Sequence, residues 1–214
     1  MTELQLRKQI LDAAKAMNSL GINRGTSGNV SARWKKGFLI TPSGRRYEDT
    51  KPADMVFIDN TAKPSGKWAP SSEWRFHFDI YRNRSDVQAV VHTHSSFATT
   101  LACLKKDIPA FHYMIAVAGG NNIRCAPYAT FGTQKLSDHA LKALNGRKAC
   151  LLANHGMIAT GESLQKALSL AVEVEALCEQ YWRALQIGKP RILTAREMNT
   201  VIRKFRHYGK ERKS

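Results

Sequence analysis

VQAVVHTHSS, residues 87–96, is an apolar run that stops on two histidines one residue apart. Its valine-rich composition reads as a β-strand. Alternate side chains of a strand share a face, so His92 and His94 project together while Thr93 points away. That spacing lets two imidazoles reach one metal ion, with Zn–N bonds of about 2.0–2.1 Å. A third candidate closes another apolar run, LLANHGM (151–157). There His155 precedes Gly156, a residue that permits a tight turn and close backbone approach. Three neutral imidazoles with a remaining open position form a catalytic zinc pattern.

Any one of these histidines alone reads as an ordinary strand-end residue bonded to backbone. The HxH and NHG pair together favours a metal. His112, His139 and His207 lack such settings. His77 follows Glu73 by four residues on one helical face and stands as a reserve ligand. HExxH, PCxxC and a cupin-type glutamate after HxH are all missing from the sequence, which disfavours zincin, deaminase and cupin sites.

Outward from residues 87–96, strand and helix signals interleave. Residues 2–20 place Leu4, Leu6, Ile10, Leu11, Ala14, Met17 and Leu20 roughly along one helical face. A Thr2/Gln5 capping box starts that helix and Gly21 stops it. NVSARW, GFLITPSG and DMVFID read as strands, and KPSGKWAP as a turn-rich link. SSEWRFHFDIYRN (71–83) reads as a helix with Ser71 or Ser72 as N-cap and Glu73 in its first turn. SSFATTLACL is a serine-started helix, IRCAPY a strand, TQKLSDHALKALNG a helix and KACLLANHG a strand. A long helix then runs from Ser163 to Gly188, before Pro190. The interleaving predicts a sheet with helices packed on it.

The 214 residues suit one domain, expected over 1–190, followed by a basic, mobile tail over 191–214 in which Tyr208 could cover the site. Four widely spaced cysteines without a CxxC pair read as reduced thiols. No run approaches the ~20 apolar residues of a membrane span, and the N-terminus lacks a signal-peptide core, so the cytoplasm is expected. Lys and Arg number 33 against 17 Asp and Glu, a formal charge of +16. Nucleic acid or a phosphorylated metabolite would both answer such charge. No nucleic-acid-binding motif accompanies it.

Three further segments, GTSGN (25–29), TPSG (41–44) and PSSE (70–73), offer small residues, hydroxyls and backbone N–H groups of the kind that bind phosphate. Each is weak alone, and neither GxGxxG nor a Walker lysine motif is present. In order, however, GTSGNVS, TPSG, PSSEWRFH, HTHS and NHG resemble the class II aldolase/adducin family, from near the N-terminus to about Gly188. The resemblance implies an α/β/α three-layer sandwich with a mixed, largely antiparallel sheet, assembled as a homotetramer. It implies one Zn²⁺ per subunit on His92, His94 and His155, with Glu73 at a metal position in the resting enzyme and acting as proton carrier.

By the same resemblance, Gly28, Asn29, Ser43, Gly44, Ser71 and Ser72 would hold a sugar phosphate. Tyr113 would reach a neighbouring subunit's site and Phe131 would shape the aldehyde pocket. The implied reaction is reversible cleavage of a ketose 1-phosphate to dihydroxyacetone phosphate and a short aldehyde. Such a cut leaves its electrons beside a carbonyl, where a metal acts as Lewis acid. Apolar neighbours Trp74 and Phe76 are expected to raise the Glu73 pKa. Competing readings are an epimerase, dehydratase or decarboxylase of the same fold, and a non-catalytic adducin-like module.

Overall fold

The computed structural model describes residues 1–205; Tyr208 and His207 lie outside them. Helix α1 (Glu3–Ser19) begins with the expected capping box: Gln5 N–H donates to Thr2 Oγ1 at 3.2 Å, and Thr2 N–H to Gln5 Oε1 at 2.7 Å. Its buried face carries Leu6, Ile10, Leu11, Ala14 and Met17, whereas Leu4 and Leu20 are exposed. Gly21 ends it in the left-handed conformation (φ +73°).

Eight strands form one sheet. In chain order they are β1 (Asn29–Trp34), β2 (Gly37–Ile40), β3 (Val56–Asp59), β4 (Pro64–Ser65), β5 (Ala89–Thr93), β6 (Arg124–Ala126), β7 (Ala149–Leu152) and β8 (Gly156–Gly161). Their spatial order is β4-β3-β2-β1-β5-β8-β7-β6, and every pairing is antiparallel except β6 with β7. The mixed, largely antiparallel sheet is therefore as expected. Strand β8 was hidden in the NHG reading: β7 and β8 form a hairpin, and His155 lies in its loop rather than on a strand.

Strand β5 is central and buried along its whole length, which is why its run is nearly all apolar instead of alternating. Ala89 and Val91 face one core with helices α1, α3 (Ser96–Ala102) and α5 (Leu164–Ile187). Val90 faces a second core with α2 (Trp74–Asn83) and α4 (Gln134–Leu144). Helices on both faces give the three-layer α/β/α sandwich.

The chain does not leave the domain at residue 190. Helix α6 (Ala195–Phe205) docks on the first core through fully buried Met198, with Leu193, Val201, Ile202 and Phe205 packed against it. Thr194 and Glu197 form its capping box, with Thr194 N–H donating to Glu197 Oε2 at 2.7 Å and Glu197 N–H to Thr194 Oγ1 at 3.3 Å. The expected mobile tail is thus a packed helix as far as Phe205. No helix among the described residues is long and apolar enough to cross a membrane.

One contact holds the turn after β5. Ser95 occupies the N-cap of α3, yet its hydroxyl donates to Glu175 Oε2 of α5 at 2.6 Å. The same carboxylate accepts from the N–H groups of Phe97 and Ala98, each at 2.8 Å. An acid from a distant helix therefore does the capping that the serine was expected to do. Replacing Glu175 with Ala strands two N–H groups and a hydroxyl, and should cost about 2–3 kcal/mol in urea unfolding. A change below about 0.5 kcal/mol, the ordinary surface value, would contradict this role.

Candidate metal centre

Antiparallel register brings distant segments to one edge of the sheet. At the C-terminal end of β5, His92 pairs with Asn29, the first residue of β1, and Thr93 pairs with Met157 near the start of β8. The loop before β1, the turn after β5 and the β7–β8 hairpin loop therefore emerge together. Strand β2 ends beside the start of β1, and Ser71 N–H donates to Thr41 O at 3.1 Å while Ser43 N–H donates to Ala69 O at 3.0 Å. These bonds bring the start of α2, with Glu73, to the same edge.

The hairpin loop is Ala153, Asn154 and His155. His155 N–H closes it on Leu152 O at 3.0 Å, with Asn154 left-handed at φ +56°; Asn tolerates that conformation better than most side chains. Gly156 follows because nothing larger fits. A Cβ there would overlap the Thr93 carbonyl oxygen and lie 3.0 Å from His94 Cδ2.

Four side chains converge as a result. The candidate ligand atoms of Glu73, His92, His94 and His155 all lie within 4.8 Å of one another. Nε2 of His92 is 3.0 Å from Nε2 of His94 and 3.0 Å from Glu73 Oε2, and His155 Nε2 is 3.1 Å from Glu73 Oε1. His92 Nδ1 donates to the Met157 carbonyl at 2.8 Å, which turns the lone pair of Nε2 toward the cluster. Three imidazole nitrogens and a carboxylate oxygen are a donor set that zinc takes readily, and exchange of the carboxylate would leave the open position that catalysis needs.

The electrostatics favour a cation here. Burial alone would raise the Glu73 carboxyl, but the charges and hydrogen bonds of His92 and His155 hold it well below the ordinary carboxylate range. The expected rise from apolar neighbours is therefore corrected: the imidazoles outweigh Trp74 and Phe76. Burial opposes charge on His92, yet Glu73 raises its pKa. Burial, followed by its two imidazole neighbours, lowers His94 to about 4, which keeps it a neutral donor.

Glu73 is itself the N-cap residue of α2, and its side chain caps nothing. Ser71 Oγ accepts from Glu73 N–H at 3.3 Å instead. That frees the carboxylate for the histidines. His77, the reserve ligand, stays out of the cluster and bonds Asn29 and Ser31.

An open cleft adjoins the cluster. It is lined by Gly28, Asn29, Ser43, Gly44, Ser71 and Ser72, and also by Glu73, His94 and His155. Gly28 (φ +72°) and Gly44 (φ +64°) are left-handed, and a Cβ on Gly28 would come within 2.7 Å of the His92 carbonyl oxygen. Phe131 stands at the cleft with Thr26 of the GTSGN segment and with Tyr128 and Asn154, two residues that sequence reasoning missed. Asn154 was visible inside NHG; Tyr128 carried no signal. Tyr113 lies elsewhere, half-exposed on a 3-10 segment (Tyr113–Ala118) and stacked on Phe205 at 6.5 Å.

Substituting Gly156 with Ala should force β8 away from the end of β5 and spread His94 from His155. Divalent-metal affinity, measured by competition with a chromogenic chelator, should fall by about 10–100-fold while far-UV circular dichroism is retained. Unchanged affinity would contradict the packing argument.

Residues 8–182 match the family model described as Class II Aldolase and Adducin N-terminal domain. A 5-methylthioribulose-1-phosphate/5-deoxyribulose-1-phosphate aldolase from Rhodospirillum rubrum is 59% identical over 208 residues, covering 97% of this chain and 94% of that protein. The L-fuculose phosphate aldolase of Escherichia coli K12 is 50% identical over 210 residues, covering 98% of each. Among solved structures, an L-fuculose 1-phosphate aldolase superposes with a TM-score of 0.92 at 39% identity, covering 94% of this chain and 96% of that one.

Proposed function

The chain belongs to the class II aldolase and adducin family, and from that footing we propose that it is a zinc-dependent aldolase of sugar phosphates. It would cleave a ketose 1-phosphate reversibly to dihydroxyacetone phosphate and a short aldehyde in the cytoplasm. The observation that carries this reading is the Glu73–His92–His94–His155 cluster, buried at Glu73 and His92, opening onto a cleft lined by glycine turns and serines.

His92, His94 and His155 would hold the cation. Bound there, it supplies Lewis-acid stabilisation of the negative charge that develops beside the carbonyl, a contribution of about several kcal/mol. The phosphate would sit on the turns at Gly28–Asn29 and Ser43–Gly44 and on Ser71–Ser72, where backbone N–H groups and the start of α2 favour an anion. Anchoring the phosphate far from the broken bond positions the reacting carbons. The excess of Lys and Arg would steer the anionic substrate inward, more strongly at low salt.

The hydroxyl on the carbon that becomes the aldehyde loses its proton. The C–C pair passes to the three-carbon fragment, and Glu73, ionised at rest by its histidine contacts, would take up a proton from solvent and deliver it to that fragment's carbon. Tyr113 would take up the hydroxyl proton while its own phenolic proton passes on to solvent. Its place away from its own cleft fits delivery to a neighbouring subunit in a homotetramer. Tyr128 and Phe131 offer the aldehyde end an aromatic wall, which suits a short apolar tail. With the higher identity to the methylthioribulose/deoxyribulose relative, that favours a 5-methylthio- or 5-deoxy-pentulose 1-phosphate over fuculose 1-phosphate.

A panel of these three substrates, assayed by coupling released dihydroxyacetone phosphate to its reductase, tests the reading. The expected result is stoichiometric three-carbon product with the five-carbon substrates turned over fastest. Isomerised sugar phosphate without a three-carbon product would overturn it in favour of an epimerase. Changing Glu73 to Gln should lower kcat by about 10²–10⁴-fold; full turnover in that variant would remove Glu73 as proton carrier.

A further inference from the structure

Behind Glu73 runs a buried chain of polar side chains, of which His77, Ser31 and Tyr81 have no part in the reaction above. Asn29 Nδ2 donates to Glu73 Oε2 at 3.1 Å. Asn29 Oδ1 is 2.5 Å from His77 Nε2, His77 Nδ1 is 2.6 Å from Ser31 Oγ, and Ser31 Oγ is 2.8 Å from the Tyr81 hydroxyl. Asn29, Ser31 and His77 are almost wholly sequestered from solvent. The imidazole lies between Phe76 at 4.6 Å and Phe38 at 6.5 Å, both stacked on it.

The proton positions follow from what each group can do. A carboxylate only accepts, so Asn29 must present its NH₂ to Glu73 and its oxygen to His77. His77 must then carry its proton on Nε2 and accept on Nδ1. Ser31 consequently donates to His77 and accepts from Tyr81. Burial, then the neighbouring His92, lowers the His77 pKa to about 3 against the pull of Glu73, so the ring stays neutral as this pattern requires. Turning the Asn29 amide over would set NH₂ against the Nε2–H and oxygen against carboxylate. Every member would have to reverse together.

We infer that His77 is a positioning residue: through Asn29 it locks the carboxylate of Glu73 in one orientation, as the middle member of a one-way donor chain Tyr81–Ser31–His77–Asn29–Glu73. The value of that lock for turnover rests on the proposed aldolase reading, in which Glu73 exchanges a proton with substrate carbon. His77 touches neither substrate nor metal.

Two measurements test it, and the first is independent of activity. Nitrogen-15 spectra of histidine-labelled protein should show His77 protonated at Nε2 and bare at Nδ1 from pH 5 to 9. An Nδ1–H tautomer, or an imidazolium within that range, would overturn the inference. The second compares His77→Leu, which ends the chain, with His77→Gln, whose amide N–H can still donate to Asn29. His77→Leu should lose about 10–100-fold in kcat with KM and bound metal near wild type, and His77→Gln should recover most of the loss. Wild-type kcat in His77→Leu, or equal losses in both variants, would overturn it. If His77→Leu does not fold, Ser31→Ala takes its place, with a smaller fall in kcat expected and no fall counting against the lock. Failure of the wild-type protein to release any three-carbon product would sink the aldolase reading while leaving the tautomer result to judge the chain.

Discussion

Everything in this molecule depends on the antiparallel pairing of β5 with β1 on one side and β8 on the other. That register places the end of VQAVVHTH beside Asn29 and beside the loop that carries His155. Side chains separated by as many as 82 positions, from Glu73 to His155, are thereby packed with their ligand atoms within 4.8 Å. Bringing a carboxylate and three imidazoles out of water carries a desolvation penalty, which at Glu73 the contacts with His92 and His155 outweigh. The cluster that results is a donor set suited to a divalent cation. Such concentration of perturbed ionisable groups beside a cleft is a mark of function.

The supports around the cluster act by geometry. The Met157 carbonyl sets the His92 tautomer, Glu175 clamps the turn after β5, and Gly156 lets β8 pass the Thr93 carbonyl. Asn29 tethers Glu73 from behind. The supports come from β1, β8 and α5, and together they leave the cluster little freedom to rearrange. Outer contacts of this kind orient ligands and tune their basicity. The cleft in front is built differently, from left-handed glycines and short hydroxyl side chains that leave room for an anion.

Much of this was legible in the chain. Two-residue periodicity placed His92 and His94 on one face, and the capping box at Thr2 marked α1 as observed. Other parts were readable but obscured. Thr194 and Glu197 are spaced as a capping box, and Met198, Val201, Ile202 and Phe205 repeat at helical intervals. The basic residues interspersed among them dilute that apolar pattern. Strand β8 was hidden because GMIATG follows a histidine that reads as the end of a strand, while Gly156 marks a close approach instead of a stop. What could not be read was tertiary: that His77 turns toward Asn29 and Ser31, or that Glu175 caps a helix some 80 residues earlier. No local rule links those positions.

The most direct measurement is anomalous X-ray diffraction on crystals of protein purified without chelator or added metal, paired with elemental analysis of the same sample. The predicted result is about one divalent ion per chain, within about 2.0–2.2 Å of Nε2 on His92, His94 and His155 and with a position open to the cleft. Metal-free protein with the three rings apart, or an ion walled in on every side by protein donors, would contradict the account.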